Sequence, residues 1–325
     1  MLTNAIFWIK LVPTILLICI GIPGNLSILY YFLIKCWKKI NSYHLFIIYL
    51  ALTDLMICVL RSFNILPTLI DPESKLTAFI CEDLWLLPAA FSTTSILILC
   101  GLSYDRYRKI TKPFAKKIPK WIVHLIFGIS VSIGFLLFGP YVGKGEILFK
   151  SIKVCRVMKR NADGTLIAAY VIHFLFSCLV PIPLITFLNI RIFISLKKQR
   201  KTNSTIQQQE TFQRHLKASK TIKCLTIISA MFVFIPNIFL ATVYTLFVAS
   251  LTSNFRISFP NELLATMDNL IFINTIVNVF VYWAHVKEFR HFYRKKFYGL
   301  RSTKYEMNLK DNESFSSSFR MSASD

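Results

Sequence analysis

Seven long apolar runs divide the chain, and they constrain its fold more than any other feature of the sequence. Each run reaches or approaches the roughly 20 residues that a helix needs to cross the hydrocarbon of a bilayer. Backbone polar groups cannot stay unpaired in lipid, so each run predicts a helix. The sequence therefore predicts an all-α membrane protein built as a seven-transmembrane helix bundle. We number the spans one to seven, and they cover residues 11–34, 44–60, 84–104, 121–143, 164–190, 224–255 and 269–286.

Basic residues are concentrated on one side of these spans. The loops after spans one, three and five, together with the C-terminal tail, hold 28 basic and 7 acidic residues, whereas the other side holds 10 and 8. Basic loops stay in the cytosol, so we expect a multi-pass plasma-membrane protein with an extracellular N-terminus and a cytoplasmic C-terminus. We assign the net charge of +22 to contacts with anionic lipid and cytosolic partners, and not to nucleic acid.

The two ends of the chain differ in composition from the membrane domain, residues 11–285. Residues 1–10 form a short extracellular N-terminus. Residues 286–298 place aromatic side chains on one helical face with basic flanks, which predicts an amphipathic helix lying along the membrane; the side chains are Phe289, Phe292, Tyr293 and Phe297. Residues 299–325 are polar and serine-rich, which predicts a disordered cytoplasmic tail whose serines offer phosphorylation sites.

Asp54 is the one acidic residue inside a span. A lone carboxylate in the membrane costs at least about 2.5 kcal/mol and needs partners from other spans. Two interpretations stay open, and one does not exclude the other. The first is an oxygen-rich site for a small hard cation such as Na⁺, and the second is a structural hydrogen-bond network with water. Either would draw on Asn25, Ser95, Asn274 and Asn278.

Asp105, Arg106 and Tyr107 stand where the uncharged run of span three ends. An isolated arginine at such a place is usually an anchor whose charge reaches out to the membrane surface. The neighbouring Asp105 favours a different hypothesis, in which adjacent opposite charges at a helix end are held together or released by a partner.

Two cysteines, Cys81 and Cys155, lie on the predicted extracellular side. Disulfides persist in that compartment, so we expect a bridge between them that ties the outer loop over the mouth of the bundle. The alternative is a pair of free thiols.

These residues resemble the rhodopsin-like (class A) G-protein-coupled receptors, and the resemblance covers almost the whole chain. It is carried by several motifs in family order and at family spacing, including the distance of 25 residues from Cys81 to Arg106. The other motifs are Gly24-Asn25 for G-N, residues 50–54 (LALTD) for L-A-x-x-D, Asp105-Arg106-Tyr107 for D-R-Y, the kink prolines Pro181 and Pro236, and residues 278–282 (NVFVY) for N-P-x-x-Y.

Several positions depart from the family pattern. Val279 replaces the proline of the last motif, and Phe234 stands where a tryptophan usually precedes Pro236. No acid lies near Leu216 to hold Arg106 across to span six, so Arg106 is expected to depend mainly on Asp105 for its resting partner. These variants resemble invertebrate peptide receptors or an orphan receptor of the same family.

The resemblance implies a receptor and not an enzyme. A ligand would enter from outside, span six would swing outward about Pro236, and Arg106 would leave Asp105 to open a cytosolic cleft for a heterotrimeric G protein. The implied switch residues are Asp105, Arg106, Tyr107, Asn278 and Tyr282, and the implied ligand pocket includes Trp85, Pro88, Phe234 and Phe272. Arrestin and kinases would act on the serine-rich tail, and no cofactor is expected apart from Na⁺ at Asp54.

The ligand itself is expected to be neuropeptide-like. Amine receptors of the family pair the ligand ammonium with an aspartate seven residues after the span-three cysteine, where this chain has Pro88. Retinal-binding members need a lysine at the position of Phe272. A receptor for a lipid or a small organic anion is one alternative. A membrane transporter is another, which the lack of an internal repeat and the single buried acid disfavour.

Overall fold

The computed structural model describes residues 2–35, 40–66, 74–80, 84, 87–112, 116–138, 146–148, 154–156, 172, 175–202, 238, 261–285 and 289–293. These ranges contain most of spans one to four and seven, part of span five, and only Ile238 of span six. The predicted sites at Cys81, Trp85, Phe234 and Pro236 and the tail from residue 294 lie outside them. The chain divides into two compact units, Met1–Val281 and Tyr282–Asp325.

Span one is a long helix interrupted by two π-helical turns. It runs as α-helix over Leu2–Leu16, as π-helix over Leu17–Gly21, as α-helix over Ile22–Tyr30 and as π-helix over Tyr31–Lys35. Pro23 lies in the first turn of the third segment, directly after a π-helical turn. Proline has no N–H to donate, and a wider turn before it accommodates the missing bond. Residues 2–10 are helical and continuous with span one, and their predicted extracellular position stays a prediction.

Of the four described helical stretches that are long and apolar enough to cross a membrane, spans two and three are the most buried. Span two is Ser42–Ser62, capped by Asn41, whose side-chain oxygen accepts a hydrogen bond from the N–H of His44 at 3.1 Å, and it continues into a 3₁₀ turn at Phe63–Ile65. Span three is Leu87–Thr111. Pro88 is the second residue of this helix, a position where the absent N–H leaves no intrahelical bond unmade.

Span four is Lys120–Phe138, and span five is Pro181–Thr202 after a π-helical turn at Leu175–Leu179. Span seven is Asn261–His285. Outside the spans, the described chain has a short helix at Lys75–Phe79 and an antiparallel pair of strands, Glu146–Leu148 and Val154–Arg156, with Cys155 opposite Ile147. The hairpin is a small addition to the predicted all-α fold, and it lies in the loop after span four.

In the described part of the chain, four helical stretches are long and apolar enough to cross a membrane. They are Phe7–Ile34, Ser42–Ser62, Leu87–Thr111 and Lys120–Leu137, and Pro183–Leu196 and Phe272–Ala284 are shorter apolar helices in spans five and seven. Large apolar side chains on span four remain exposed, with Leu136 at 76%. A helix that exposes such side chains outward is suited to lipid, and the prediction of membrane-spanning helices is confirmed for these stretches.

Span three is the centre of the packing, because it contacts spans two, four and five. It packs closely against span four at Gly134, where an added Cβ atom would overlap the carbonyl oxygen of Ala90. Thr94 bridges the same interface, since its hydroxyl donates to the carbonyl oxygen of Ser130 at 3.2 Å. Small residues therefore let the two backbones meet closely, as is common where helices pack in lipid.

The second unit contains the last turn of span seven and a short helical segment. Residues 289–293 are helical, Phe289 is buried, and the rings of Phe289 and Tyr293 meet edge to face at 4.9 Å. Phe297, the last aromatic residue of the predicted amphipathic helix, lies outside the described residues.

Candidate functional site

The buried carboxylate of Asp54 joins three spans. Ser95 of span three donates its hydroxyl to Oδ1 of Asp54 at 3.1 Å, and Asn278 of span seven donates from Nδ2 to Oδ2 at 2.7 Å. The Asp54 side chain is fully buried. A charged acceptor with two short donor contacts is the arrangement that a desolvated carboxylate needs. The structure thus brings together three of the five residues predicted for this cluster.

Asn25 lies nearby but uses its amide to tie span one to span seven. Its Nδ2 donates to the carbonyl oxygens of Gly21 at 3.0 Å and Thr275 at 3.4 Å. Its Oδ1 is buried and accepts no hydrogen bond from the described residues. The Thr275 hydroxyl lies 3.3 Å from Cys58 Sγ, which adds a contact between spans seven and two. Asn274, the remaining predicted member, is also buried.

Thr275 and Cys58 belong to this polar layer, although neither was predicted from the sequence to do so. Cys58 sits in an apolar run, where a cysteine usually packs as a small apolar residue. The available signal was spacing: Cys58 follows Asp54 by one helical turn, so both face the same side of span two.

Gly24 packs closely against span seven. A Cβ atom added to Gly24 would lie 2.5 Å from Cγ1 of Val279. Val279 stands where the family motif has proline, and its branched side chain fills the space that the glycine leaves. The first and last motifs of the resemblance therefore meet as a packing contact.

A second polar cluster lies where span three leaves the apolar region. The Asp105 side chain is fully buried, and its Oδ1 accepts from Ser42 Oγ at 2.7 Å. Its Oδ2 forms an ion pair with Lys109 Nζ at 2.7 Å, one turn further along the same helix. Lys109 Nζ also donates to Ser42 Oγ at 3.1 Å, so the three side chains form a closed triangle.

Arg106 is not part of that triangle. Its guanidinium carbon lies 3.3 Å from the ring centroid of Tyr43 at the start of span two. Its Nε is buried and has no hydrogen-bond partner among the described residues. The prediction that Arg106 pairs with Asp105 is wrong for this structure. The reason is geometric, because successive residues of a helix point about 100° apart around its axis and do not face each other.

Tyr107 packs in yet another direction, between spans three and five. It is partly buried against a cluster of Ile110, Ile192 and Leu196. Its carbonyl oxygen accepts a hydrogen bond from the Thr111 hydroxyl at 2.7 Å. The remaining predicted switch residue, Tyr282, is buried and belongs to the second unit.

A cationic group occupies the opposite end of spans two and seven. Arg61 donates from a guanidinium nitrogen to Oδ1 of Asn269 at 3.2 Å, and its guanidinium lies 4.4 Å above the ring of Phe272. Asn269 in turn donates to the carbonyl oxygen of Ile9 at 3.0 Å, which ties span one to the same place. Hydropathy alone predicts that Arg61 lies in a loop, because it stands one position beyond the apolar run of span two.

Two residues of the predicted ligand pocket are described in this half of the bundle. Phe272 packs with Ile57 and the partly buried Phe91, and Pro88 is buried in the first turn of span three. The structure places Phe272 and Arg61 in contact, so a pocket that includes this face of Phe272 also meets the guanidinium.

Span five contains the distortion that its proline predicts. The N–H of Val180 bonds to the carbonyl oxygen of Leu175 at 3.0 Å, five residues back, and Pro181 then begins the α-helix. The wide turn keeps a backbone hydrogen bond just before Pro181, although the proline itself has no N–H to donate. Pro236 of span six lies outside the described residues, as do Cys81 and the side chain of Cys155, so the disulfide stays a prediction.

Comparison with known proteins identifies the family. A family model described as 7 transmembrane receptor (rhodopsin family) matches residues 24–282. The chain is 29% identical over 205 residues to the human muscarinic acetylcholine receptor M5, an alignment that covers 59% of the chain and 36% of that receptor. It is 29% identical over 214 residues to tyramine receptor 1 of Locusta migratoria, with 61% of the chain and 42% of that receptor covered. The chain thus matches well under half the length of these relatives.

Proposed function

The chain belongs to the rhodopsin family of seven-transmembrane receptors, and from this premise we propose that it binds an extracellular ligand and activates heterotrimeric G proteins. The observation that carries the proposal is the state of Arg106. A guanidinium held by an aromatic ring, with one nitrogen buried and without a hydrogen-bond partner among the described residues, is ready to exchange that contact for another. Membership of a receptor family also agrees with the prediction that the protein is not an enzyme.

The proposed mechanism uses span three as the link between the two polar clusters. Ser95 contacts Asp54 in the middle of the bundle, and Asp105 and Arg106 lie about 15 Å further along the same helix at 1.5 Å per residue. A ligand that shifts spans three and seven would change the hydrogen bonds of Asp54. The same shift would release Arg106 into a cleft opened by span six, which is expected to move about Pro236.

The test measures nucleotide exchange on purified G-protein heterotrimers added to membranes that contain the receptor. The wild-type chain should accelerate binding of a non-hydrolysable GTP analogue for at least one G-protein class, and Arg106→Ala should remove that acceleration at equal surface expression. An Arg106→Ala variant as active as the parent would contradict the role of Arg106. Accumulation of a solute in vesicles, with no nucleotide effect for any G-protein class, would favour the transporter.

We propose a peptide as the ligand, with a lipid or small organic anion as the second candidate. The named relatives are receptors for acetylcholine and tyramine, and both of these ligands carry a positive charge. In this chain, Pro88 occupies the position at which amine receptors of the family carry an aspartate. Arg61 adds a positive charge beside Phe272 in the predicted pocket. A ligand with a carboxylate, such as a peptide C-terminus, suits this end of the bundle better than an ammonium group.

The ligand proposal is tested by parallel screens of peptide, amine, lipid and organic-anion pools with calcium and cyclic-nucleotide readouts. Activation by a peptide supports it, and selective activation by tyramine or acetylcholine refutes it. Arg61→Met should reduce potency of a peptide with a free C-terminus more than that of its amide, because only the free acid carries the charge that Arg61 would meet.

We also propose that Na⁺ binds beside Asp54. The carboxylate, the Ser95 hydroxyl and the buried Oδ1 of Asn25 are oxygen donors of the kind that a small hard cation prefers. The melting temperature of the purified receptor should rise when sodium replaces potassium at constant ionic strength, and Asp54→Asn should remove the difference. Equal melting temperatures of the wild-type receptor in both salts would contradict the sodium site, and the Asp54 cluster would then be a structural hydrogen-bond network.

The remaining proposals follow from the charge distribution and the tail. We propose that the receptor lies in the plasma membrane with its N-terminus outside, and antibody access to an N-terminal tag on intact cells would test this. Kinases and arrestin are proposed to act at four serines of the cytoplasmic tail, Ser314, Ser316, Ser317 and Ser318.

A further inference from the structure

The first turn of span two holds the end of span three by two consecutive residues. Ser42 donates to the Asp105 carboxylate at 2.7 Å, and the ring of Tyr43 lies under the Arg106 guanidinium at 3.3 Å from its carbon. The turn is itself fixed, because Asn41 caps it. Two consecutive side chains of span two therefore contact two consecutive side chains of span three.

Asp105 does not meet Arg106 in this arrangement, because successive residues of a helix point away from each other. Ser42 occupies Oδ1 and Lys109 occupies Oδ2. Tyr43 is the contact that remains to Arg106, and it acts through its ring, since the Tyr43 hydroxyl makes no hydrogen bond within the described residues. A guanidinium over an aromatic face is attracted by the ring quadrupole, and the attraction grows when water is excluded.

We propose that Tyr43 is the positioning residue that keeps Arg106 in its resting orientation, while Lys109 and Ser42 hold Asp105 separately. The inference rests on the proposed function, in which Arg106 must turn toward the G protein. It assigns the resting restraint to a residue of span two, outside the Asp105-Arg106-Tyr107 motif. The buried Nε of Arg106 gives a second, independent reason for the guanidinium to leave once the ring contact is lost.

The experiment compares three variants for ligand-free nucleotide exchange, with the GTP analogue as probe and at equal surface expression. Tyr43→Leu removes the ring. It should raise the ratio of active to resting receptor, measured as the rate of ligand-free exchange, about fivefold, which is the change expected from loss of a partly desolvated cation–π contact. Tyr43→Phe keeps the ring and should return the ratio close to that of the parent. Trp121→Leu removes an exposed aromatic residue at the start of span four, 64% exposed, and should leave exchange unchanged.

A second measurement applies whether or not basal exchange is detectable. Melting temperatures of the purified parent, Tyr43→Leu, Arg106→Leu and the double variant form a cycle. The double variant should lose less than the sum of the single losses, because both changes remove the same contact. Additive losses, or a Tyr43→Phe variant that behaves like Tyr43→Leu, would overturn the inference.

The proposed function is judged separately by Arg106→Ala. If that variant abolishes exchange while Tyr43→Leu stays as quiet as the parent and the losses are additive, the positioning role of Tyr43 is wrong and the receptor mechanism stands. If Arg106→Ala has no effect on exchange but the cycle shows coupling, the contact is real and the switch role of Arg106 is wrong.

Discussion

The ion pair between Lys109 and Asp105 offers a direct measure of how the end of span three is held. Lys109→Met keeps most of the side-chain stem and removes the charge. Asp105 would then remain fully buried, with Ser42 as its one hydrogen-bond donor among the residues that the structure describes. Removing a partner from a buried ion pair costs about 3–5 kcal/mol, whereas exposed pairs are worth about 0–1 kcal/mol. Lys109 is 25% exposed and Asp105 0%, so we expect a loss of about 2 kcal/mol.

The assay is thermal unfolding of the purified receptor in detergent, combined with ligand-free nucleotide exchange. Lys112→Met is the matched control, since Lys112 is exposed, lies just after the same helix and shares the favourable interaction with its C-terminal carbonyls. Lys109→Met should lower the melting temperature clearly more than Lys112→Met. Adding Asp105→Asn should recover part of the loss because it removes the unpaired charge. Equal effects of the two lysine variants, or no recovery in the double variant, would refute the buried-pair argument.

Three further predictions concern contacts between spans. Gly24→Ala should destabilise the receptor by about 1–3 kcal/mol through overpacking, and Val279→Ala should rescue it by restoring the space; melting curves of both variants and the pair decide this. Gly134→Ala should destabilise by a similar amount because backbone stands in the way, whereas Gly128→Ala, with nothing within 4 Å, should be neutral or slightly stabilising in the same assay. Asn278→Ala should cost about 1–3 kcal/mol because it removes a donor to the buried carboxylate of span two, and Asn278→Asp should cost at least as much.

The positions of the spans could be predicted because lipid leaves the backbone few alternatives to a helix. Span two was predicted over 44–60 and is found at Ser42–Ser62. The end of span three could not be predicted from hydropathy. Its apolar run stops at residue 104, yet the helix continues to Thr111, because intrahelical hydrogen bonds do not depend on apolar side chains and Lys109 neutralises Asp105 across one turn.

The partners of Asp54 could be predicted by residue type but not by contact. Ser95 and Asn278 reach the carboxylate, whereas the amide of Asn25 is taken by backbone carbonyls of spans one and seven. The difference depends on how each helix is rotated about its axis and on the π-helical turn of span one that ends at Gly21. Neither quantity can be read from the spacing of polar residues in the sequence.

The contacts of Asp105 and Arg106 also limit how this end of the bundle can move. Both partners, Ser42 and Tyr43, lie on span two, so a motion that separates spans two and three breaks both contacts together. A rotation of the Arg106 side chain alone breaks one contact and leaves the triangle of Asp105, Ser42 and Lys109 intact. In the first case, the double variant of Tyr43→Leu and Lys109→Met should raise basal exchange by less than the product of the two single increases, because either change already weakens the contact between spans two and three. In the second case the two increases should multiply as independent factors, so the double variant distinguishes movement of a helix from movement of one side chain.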